Sequence, residues 1–281
     1  MTEAALEMVA LGGALGAEVT GVDLSRPLSP ALLARLRQIW LDAGVLAFPD
    51  QALTPEAFIA LAIAFGEVME YPFLKGLPGH PEITEVVKLE HETVNFGGVW
   101  HSDTTYLPRP PMATLLVARE TPPTGGDTLF ASQVAAYATL SDAMKRRLAP
   151  LRAVNSSAKA EVSRTREDRL REAARAAAPP VFEASHPVVR RHPETGRPAL
   201  YVNPAHTVRF DGLTEAESNP LLAFLFEHQV RPEFTCRVRW KPGTLAIWDN
   251  RQTLHLPVND YHGHRRVMHR ITLAGDVPVG L

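Results

Sequence analysis

The sequence is poor in the features that mark whole classes of protein. One cysteine, Cys236, occurs in 281 residues, so an intramolecular disulfide framework is excluded, and a small buried side chain in a strand is its expected role. Opposite charges nearly cancel, with 29 Lys and Arg against 31 Asp and Glu, so the charge balance does not recommend nucleic acid or an anionic membrane as a partner. No apolar run reaches the length that spans a bilayer. No Lys or Arg precedes Arg26 although Glu3 and Glu7 do, so the basic start of a signal peptide is missing and the expected compartment is the reducing cytoplasm. Internal repeats and low-complexity tracts are absent as well.

What is present is ordinary globular composition, 45% hydrophobic and 21% charged, enough for a sizeable core. The run from Leu15 to Leu24 alternates between glycines as a strand. Ser29-Pro30 then opens a helix, with Leu32, Leu33, Leu36, Ile39 and Trp40 at helical spacing up to Gly44. Val45 to Phe48 reads as a short strand, and Thr54-Pro55-Glu56 starts a second helix ending at Gly66. Short strand-like runs follow at Ile83 to Leu89, Thr93 to Val99, Ala113 to Ala118 and Asp127 to Phe130, then a helical stretch from Ser132 to Leu148 with Ser141 as an internal cap. From about residue 153 to 180 the charged and alanine-rich chain buries little, which predicts an excursion from the core, helical in part, either a plain solvated linker or a lid over an active site. Strands return in the last hundred residues, interrupted by a helix that Thr214 and Glu217 begin as a capping box. The expected fold is therefore mainly β with flanking helices, a single jelly-roll domain over residues 1–281 with an inserted lid.

The chemistry gathers at three places. In Trp100-His101-Ser102-Asp103, an extended backbone would turn His101 and Asp103 to one face. That pair is two thirds of a 2-His-1-carboxylate set, which holds Fe(II) on one face and leaves positions open; a polar pair at a strand end is the plain alternative. The Gly97-Gly98 pair before it predicts a bend or a close backbone approach. Further on, Trp248-Asp249-Asn250-Arg251 closes a strand, and His255 opens the next segment. Beyond it, Arg266, Met268 and Arg270 share a face of a strand that otherwise reads as buried. Arg is rarely buried alone, so protein carboxylates or one or two anionic ligands should lie opposite.

Taken with Thr124-Gly125-Gly126-Asp127-Thr128, these motifs resemble the successive signatures of the taurine dioxygenase (TauD/TfdA) family from about Leu15 to Gly275. The resemblance implies an Fe(II)- and 2-oxoglutarate-dependent dioxygenase on a double-stranded β-helix, with O2 as the second cosubstrate. It implies that His101, Asp103 and His255 hold the iron, that Thr128 and Arg266 grip the distal carboxylate of 2-oxoglutarate, and that Arg270 and the backbone at Thr104 face an acidic small-molecule substrate. Asp103 also disfavours chlorination, since the related halogenases lack that carboxylate. A homo-oligomer, dimer or tetramer, is expected.

For the substrate, the sequence departs from the taurine enzymes. Tyr71 and Leu74 stand where those have a His and a Tyr, Gly97 where they have an Asn, and His206 where a pocket Phe occurs. Phe73-Leu74-Lys75-Gly76 and Phe234 to Trp240 resemble the phenoxypropionate dioxygenases more closely. The expected substrate is a small organic acid with an apolar portion, cleaved after hydroxylation beside a heteroatom, with alkylsulfonates or sulfate esters as the alternative. Tyr71, Asn95, His206 and Tyr106 are candidate pocket residues. A metal hydrolase and a non-catalytic metal-binding jelly roll are the more distant readings, and neither needs the Thr128 and Arg266 pair.

Overall fold

A computed structural model describes residues 6–70, 76–95, 97–159 and 181–281. Its first strands are β1 (Glu7–Ala10), β2 (Ala17–Thr20), β3 (Val45–Phe48), β4 (Val68–Met69), β5 (Gly76–Leu77), β6 (His80–Lys88), β7 (Ala113–Glu120), β8 (Thr128–Ser132) and β9 (Arg152–Ser156). The second half adds β10 (Glu183–Pro187), β11 (Val189–Arg191), β12 (Pro198–Leu200), β13 (Thr207–Phe210), β14 (Thr235–Val238), β15 (Leu245–Asp249), β16 (Thr253–Pro257) and β17 (Arg266–Leu273). Five helices are described: α1 (Pro30–Ala43), α2 (Pro55–Phe65), α3 (Gln133–Ala138), α4 (Asp142–Leu148) and α5 (Glu215–His228).

A large sheet runs β1-β2-β3-β15-β7-β17-β6-β5 with β4 added beside β17, and a small sheet runs β14-β8-β16. Together they make the double-stranded β-helix. Strands buried on both faces read as unbroken apolar runs, and the side-chain period of two sorts them. Leu46, Phe48, Leu245 and Ile247 go outward against Trp40 of α1 and Phe58 and Phe65 of α2. Val45, Ala47, Ala246 and Trp248 go inward, where Phe130, Trp240 and Met268 fill the space between the sheets. In β17 the same alternation sends Ile271 and Leu273 to the helical side and Met268 inward with its even-numbered neighbours.

The helix signals hold at the positions read from the sequence. Ser29 and Thr54 accept from the N–H groups of Leu32 and Ala57, each with Pro at the first helical position. Gly44 ends α1 at φ 72, and the Thr214/Glu217 capping box opens α5. Two expectations are corrected. The described residues of the run Thr93 to Val99 form no strand, because Asn95 spends its side chain on the Pro257 carbonyl and Gly97 turns the chain at φ 72. The excursion expected from residue 153 does not start there: Arg152–Ser156 is a strand, buried over Ala153–Ser156 and paired with β10 and β13. Residues 160–180, most of that segment, lie outside the described residues.

Candidate active site

The site is assembled where the two sheets face each other. His101 and His255 form one antiparallel bridge, exchanging N–H to carbonyl bonds of 3.0 and 2.8 Å. Such a pair brings side chains close on one face, and the two imidazole centroids are 4.0 Å apart. The chain extends only as far as Ser102 and turns from Asp103 onward, so the extended backbone considered for Trp100 to Asp103 stops one residue short. His101 and Asp103 converge all the same.

Asp103 Oδ1 lies 3.9 Å from His101 Nε2 and 3.8 Å from His255 Nε2. The ligand atoms of His101, Asp103 and His255 all fall within 4.8 Å of one another, and all three residues are buried. Nδ1 of His101 is 2.7 Å from the Val99 carbonyl, which assigns the proton to Nδ1 and leaves Nε2 to donate its lone pair. His255 is held between Phe130, stacked at 6.0 Å, and Trp248 at 4.8 Å. Burial keeps both imidazoles neutral, lowering His101 and taking His255 well below its ordinary value. Burial alone would raise the Asp103 carboxyl, but the Arg270 guanidinium, with a hydrogen bond from Thr114, holds it well below the usual carboxylate range. Two neutral nitrogens and one ionised oxygen converge here, a donor set that fits Fe(II).

The second oxygen of Asp103 is occupied from behind. Thr114 Oγ1 donates to Oδ2 at 2.5 Å, and Arg270 Nη2 sits 2.9 Å from it. Asn250 Nδ2 in turn donates to Thr114 Oγ1 at 3.1 Å, while the Asn250 carbonyl accepts from Ser102. Neither Thr114 nor Asn250 was a sequence candidate; the alternation of β15 continued through Trp248 would have turned Asn250 inward. Its neighbour Asp249 serves structure instead, clamped by Arg251 at 2.8 Å and by His192 at 2.9 Å.

Thr128 and Arg266 meet around Trp240. The indole Nε1 donates to Thr128 Oγ1 at 3.0 Å, and the Arg266 Cζ lies 5.8 Å from the ring centroid. Arg266 is 6% exposed, yet its Nε and Nη2 have no hydrogen-bond partner among the described residues. Buried guanidinium donors left open are costly unless an anion answers them, so this corner fits a carboxylate. Gly125 and Gly126 explain the motif before Thr128. Both have positive φ, and the Gly126 N–H bonds Asp260 Oδ1 at 2.7 Å, while a side chain at Gly126 would press on Tyr261 and Arg266.

The remaining candidates separate. Thr104 is buried in a left-handed conformation at φ 41, its hydroxyl without a partner among the described residues. His206 sits edge-on to His101 at 6.2 Å and to Tyr106 at 5.0 Å, with Nδ1 3.1 Å from Thr105 Oγ1. Burial, with His101 beside it, pushes its pKa down to about 3. Asn95 is turned to the Pro257 carbonyl, and Tyr71 lies outside the described residues. The close approach expected at Gly97 is to the metal-site histidine itself: a Cβ there would lie 2.7 Å from His101 Cε1. His262 and His264 are exposed, and His269 pairs with Arg119 away from the site.

Known proteins resemble this chain over nearly its whole length. The profile of the taurine catabolism dioxygenase TauD, TfdA family fits residues 7–272. An alpha-ketoglutarate-dependent sulfate ester dioxygenase from Pseudomonas putida is 34% identical, over 98% of this chain and 92% of its own. An (S)-phenoxypropionate/alpha-ketoglutarate-dioxygenase from Sphingobium herbicidovorans is 32% identical, over 97% and 96% respectively. Among solved structures, a taurine dioxygenase from Burkholderia xenovorans superposes with a TM-score of 0.83 at 36% identity, covering 98% of this chain and 93% of that one. AAD-2 in complex with Mn(II) and N-oxalylglycine superposes at 0.79 with 30% identity, covering 98% and 99%. No described helix is long and apolar enough to cross a membrane.

Proposed function

The chain belongs to the taurine catabolism dioxygenase TauD, TfdA family and is a 2-oxoglutarate-dependent non-haem iron dioxygenase; we propose that its primary substrate is a small organic acid with an apolar portion, oxidised at the carbon next to a heteroatom. One observation carries the reading. Two guanidiniums project from the same face of β17, Arg270 beside the Asp103 carboxylate and Arg266 with buried donors unanswered.

In this reading His101, Asp103 and His255 hold Fe(II), and Thr128 and Arg266 hold the distal carboxylate of 2-oxoglutarate. Bound there, Fe(II) with 2-oxoglutarate and O2 supplies an oxidative decarboxylation that yields succinate and carbon dioxide and hydroxylates a substrate carbon. The protein's own part is to place two anions and exclude water. Arg270 receives the substrate's acidic group while still facing Asp103 Oδ2, so that group docks next to the iron ligand. The resemblance assigns the backbone at Thr104 to the same group. Tyr106 and His206, an uncharged ring held by Thr105, give the pocket an aromatic wall for the apolar portion.

Aryloxyalkanoates fit this description, and so do alkyl sulfates and sulfonates. The second class is favoured by the Pseudomonas putida relative, which acts on sulfate esters, and by the fact that a guanidinium fork answers a sulfo group as readily as a carboxylate. Anaerobic visible absorption tests the assignment: Fe(II) and then 2-oxoglutarate are expected to produce a metal-to-ligand charge-transfer band. A panel of aryloxyalkanoates, alkylsulfonates and sulfate esters should then perturb it in one class only, with release of a phenol, sulfite or sulfate in air. No band in folded, iron-loaded protein would overturn the cosubstrate site. A band that no acid perturbs would overturn the substrate class.

A further inference from the structure

Lys88 is the last residue of β6 and was not among the residues that drew attention in the sequence. It stands directly opposite Arg266 in the β6/β17 ladder, with Val86 opposite Met268 and Thr84 opposite Arg270. Cross-strand partners project to the same face, with Cβ atoms about 5 Å apart. Met268 packs between the two sheets and Arg270 reaches Asp103, so Lys88 projects into the interior beside Arg266.

Its surroundings are those of an unanswered cation. Lys88 is 4% exposed, and its Nζ has no hydrogen-bond partner among the described residues. The ammonium lies 4.4 Å from the centroid of the Tyr261 ring, and Tyr261 also interacts electrostatically with Arg266. Ring contact eases the burial of an ammonium but supplies no acceptor for its three N–H groups. Glu92 is the opposing charge, acting through space, and its carboxylate is engaged by the Leu89 N–H at 2.8 Å. Burial accordingly lowers the Lys88 pKa. Two adjacent buried cations, both with open donors, repel each other unless an anion lies between them.

We propose that Lys88 is a second cation of the subsite that takes the distal carboxylate of 2-oxoglutarate, sharing that group with Arg266 and Thr128. The proposal rests on the assignment of Thr128 and Arg266 made above and adds a specificity-determining residue to it. With two cations and a hydroxyl around one position, the subsite selects a fully charged carboxylate over a neutral group of the same size. A 2-oxo acid of equal length that lacks the second carboxylate gains nothing from Lys88.

The test compares two ligands by calorimetry on the Mn(II)-loaded protein without O2: 2-oxoglutarate and 2-oxopentanoate. Lys88→Met should weaken 2-oxoglutarate roughly 10- to 100-fold, the span expected for one charge-assisted hydrogen bond, and leave 2-oxopentanoate within about twofold. Lys88→Gln, which keeps a donor without the charge, should fall between Lys88→Met and the parent for 2-oxoglutarate alone, and it serves if Lys88→Met does not fold. Lys88→Arg should retain most of the discrimination. Equal weakening of both ligands in the folded variants, or no change in either, overturns the proposal and leaves Lys88 a partner of Glu92. Arg266→Met separates the two levels. If it too leaves the ratio of the two affinities unchanged, the anion subsite itself is wrong; if it alone abolishes the ratio, only the role of Lys88 falls.

Discussion

Thr114 offers the sharpest check on how the iron-binding carboxylate is held. Its hydroxyl donates to Asp103 Oδ2 at 2.5 Å and accepts from Asn250 Nδ2 at 3.1 Å. Thr114→Val keeps the shape and removes both bonds. A hydrogen bond to a charged group contributes about 1.5–3 kcal/mol, equivalent to roughly 10- to 100-fold in metal affinity, the range found when a partner of a metal ligand is lost. Arg270 still holds the same oxygen, at 2.9 Å, so the loss should sit near the lower end, about 10- to 30-fold. Asn250 Nδ2, left buried without its acceptor, should also cost about 1–3 kcal/mol of folding stability. Competition titration with Co(II) gives the affinity and chemical denaturation the stability, and Thr114→Ser should restore both. A folded Thr114→Val protein that binds metal within twofold of the parent would refute the idea that this hydroxyl orients Asp103.

Three further expectations follow from the same geometry. Arg270→Ala should raise the KM of the primary substrate by about 30-fold or more, the cost of truncating one side of a buried charged contact, with a smaller change in 2-oxoglutarate affinity; Arg266→Ala should do the reverse, and equal losses in both variants would remove the division of labour. Gly97→Ala must adopt φ 72 and place Cβ 2.7 Å from His101 Cε1, so it should lose more than about 1 kcal/mol of stability and weaken metal binding; unchanged melting and metal affinity would show that the loop yields freely. Asp249→Asn leaves Arg251 with Glu194 as its one carboxylate partner among the described residues and should destabilise by about 3 kcal/mol in a denaturant titration. Burial opposes ionisation of Asp249 but Arg251 and His192 outweigh it, holding its carboxyl below the ordinary range; its contribution is therefore present at neutral pH and lost as pH falls through the carboxylate range and below. Asp249→Asn should flatten that acid-side loss, and an unaltered slope would assign it to other carboxylates.

Much of this was legible from residue types and spacing. Caps such as Ser29-Pro30 and Thr214/Glu217 act within a few residues, so the sequence displays them whole. His101, Asp103 and His255 could be read because two of them sit two apart and each carries an unusual chemistry. The even-numbered face of β17 could be read from its period alone. What stayed hidden depends on partners distant along the chain. Thr114 is one buried threonine among many until Asn250 and Asp103 are brought to it, and Lys88 ends an unremarkable strand until the register with Arg266 is known. The strand misread at Thr93 to Val99 has the right β-branched content, but its polar groups are claimed by Pro257 and by the turn at Gly97. Residues 153–156 read as an excursion because the polar Asn155 and Ser156 are buried by hydrogen bonds to Thr207 and His206, which the sequence does not announce.

The inward face of β17 also sets a length. Arg266 and Arg270 lie four residues apart on one rigid strand, about 13 Å at the usual rise per residue, and that span is pinned on both sides by β6 and β7. Under the proposed assignment, the two anions would therefore be held at a fixed separation, with the metal-binding group near one end. A substrate can grow or shrink only away from its acid, toward Tyr106 and His206 and the loops beyond. Changes of specificity on this scaffold should then be written in those walls, while the distance from the acidic group to the oxidised carbon stays nearly constant whichever acid the enzyme takes.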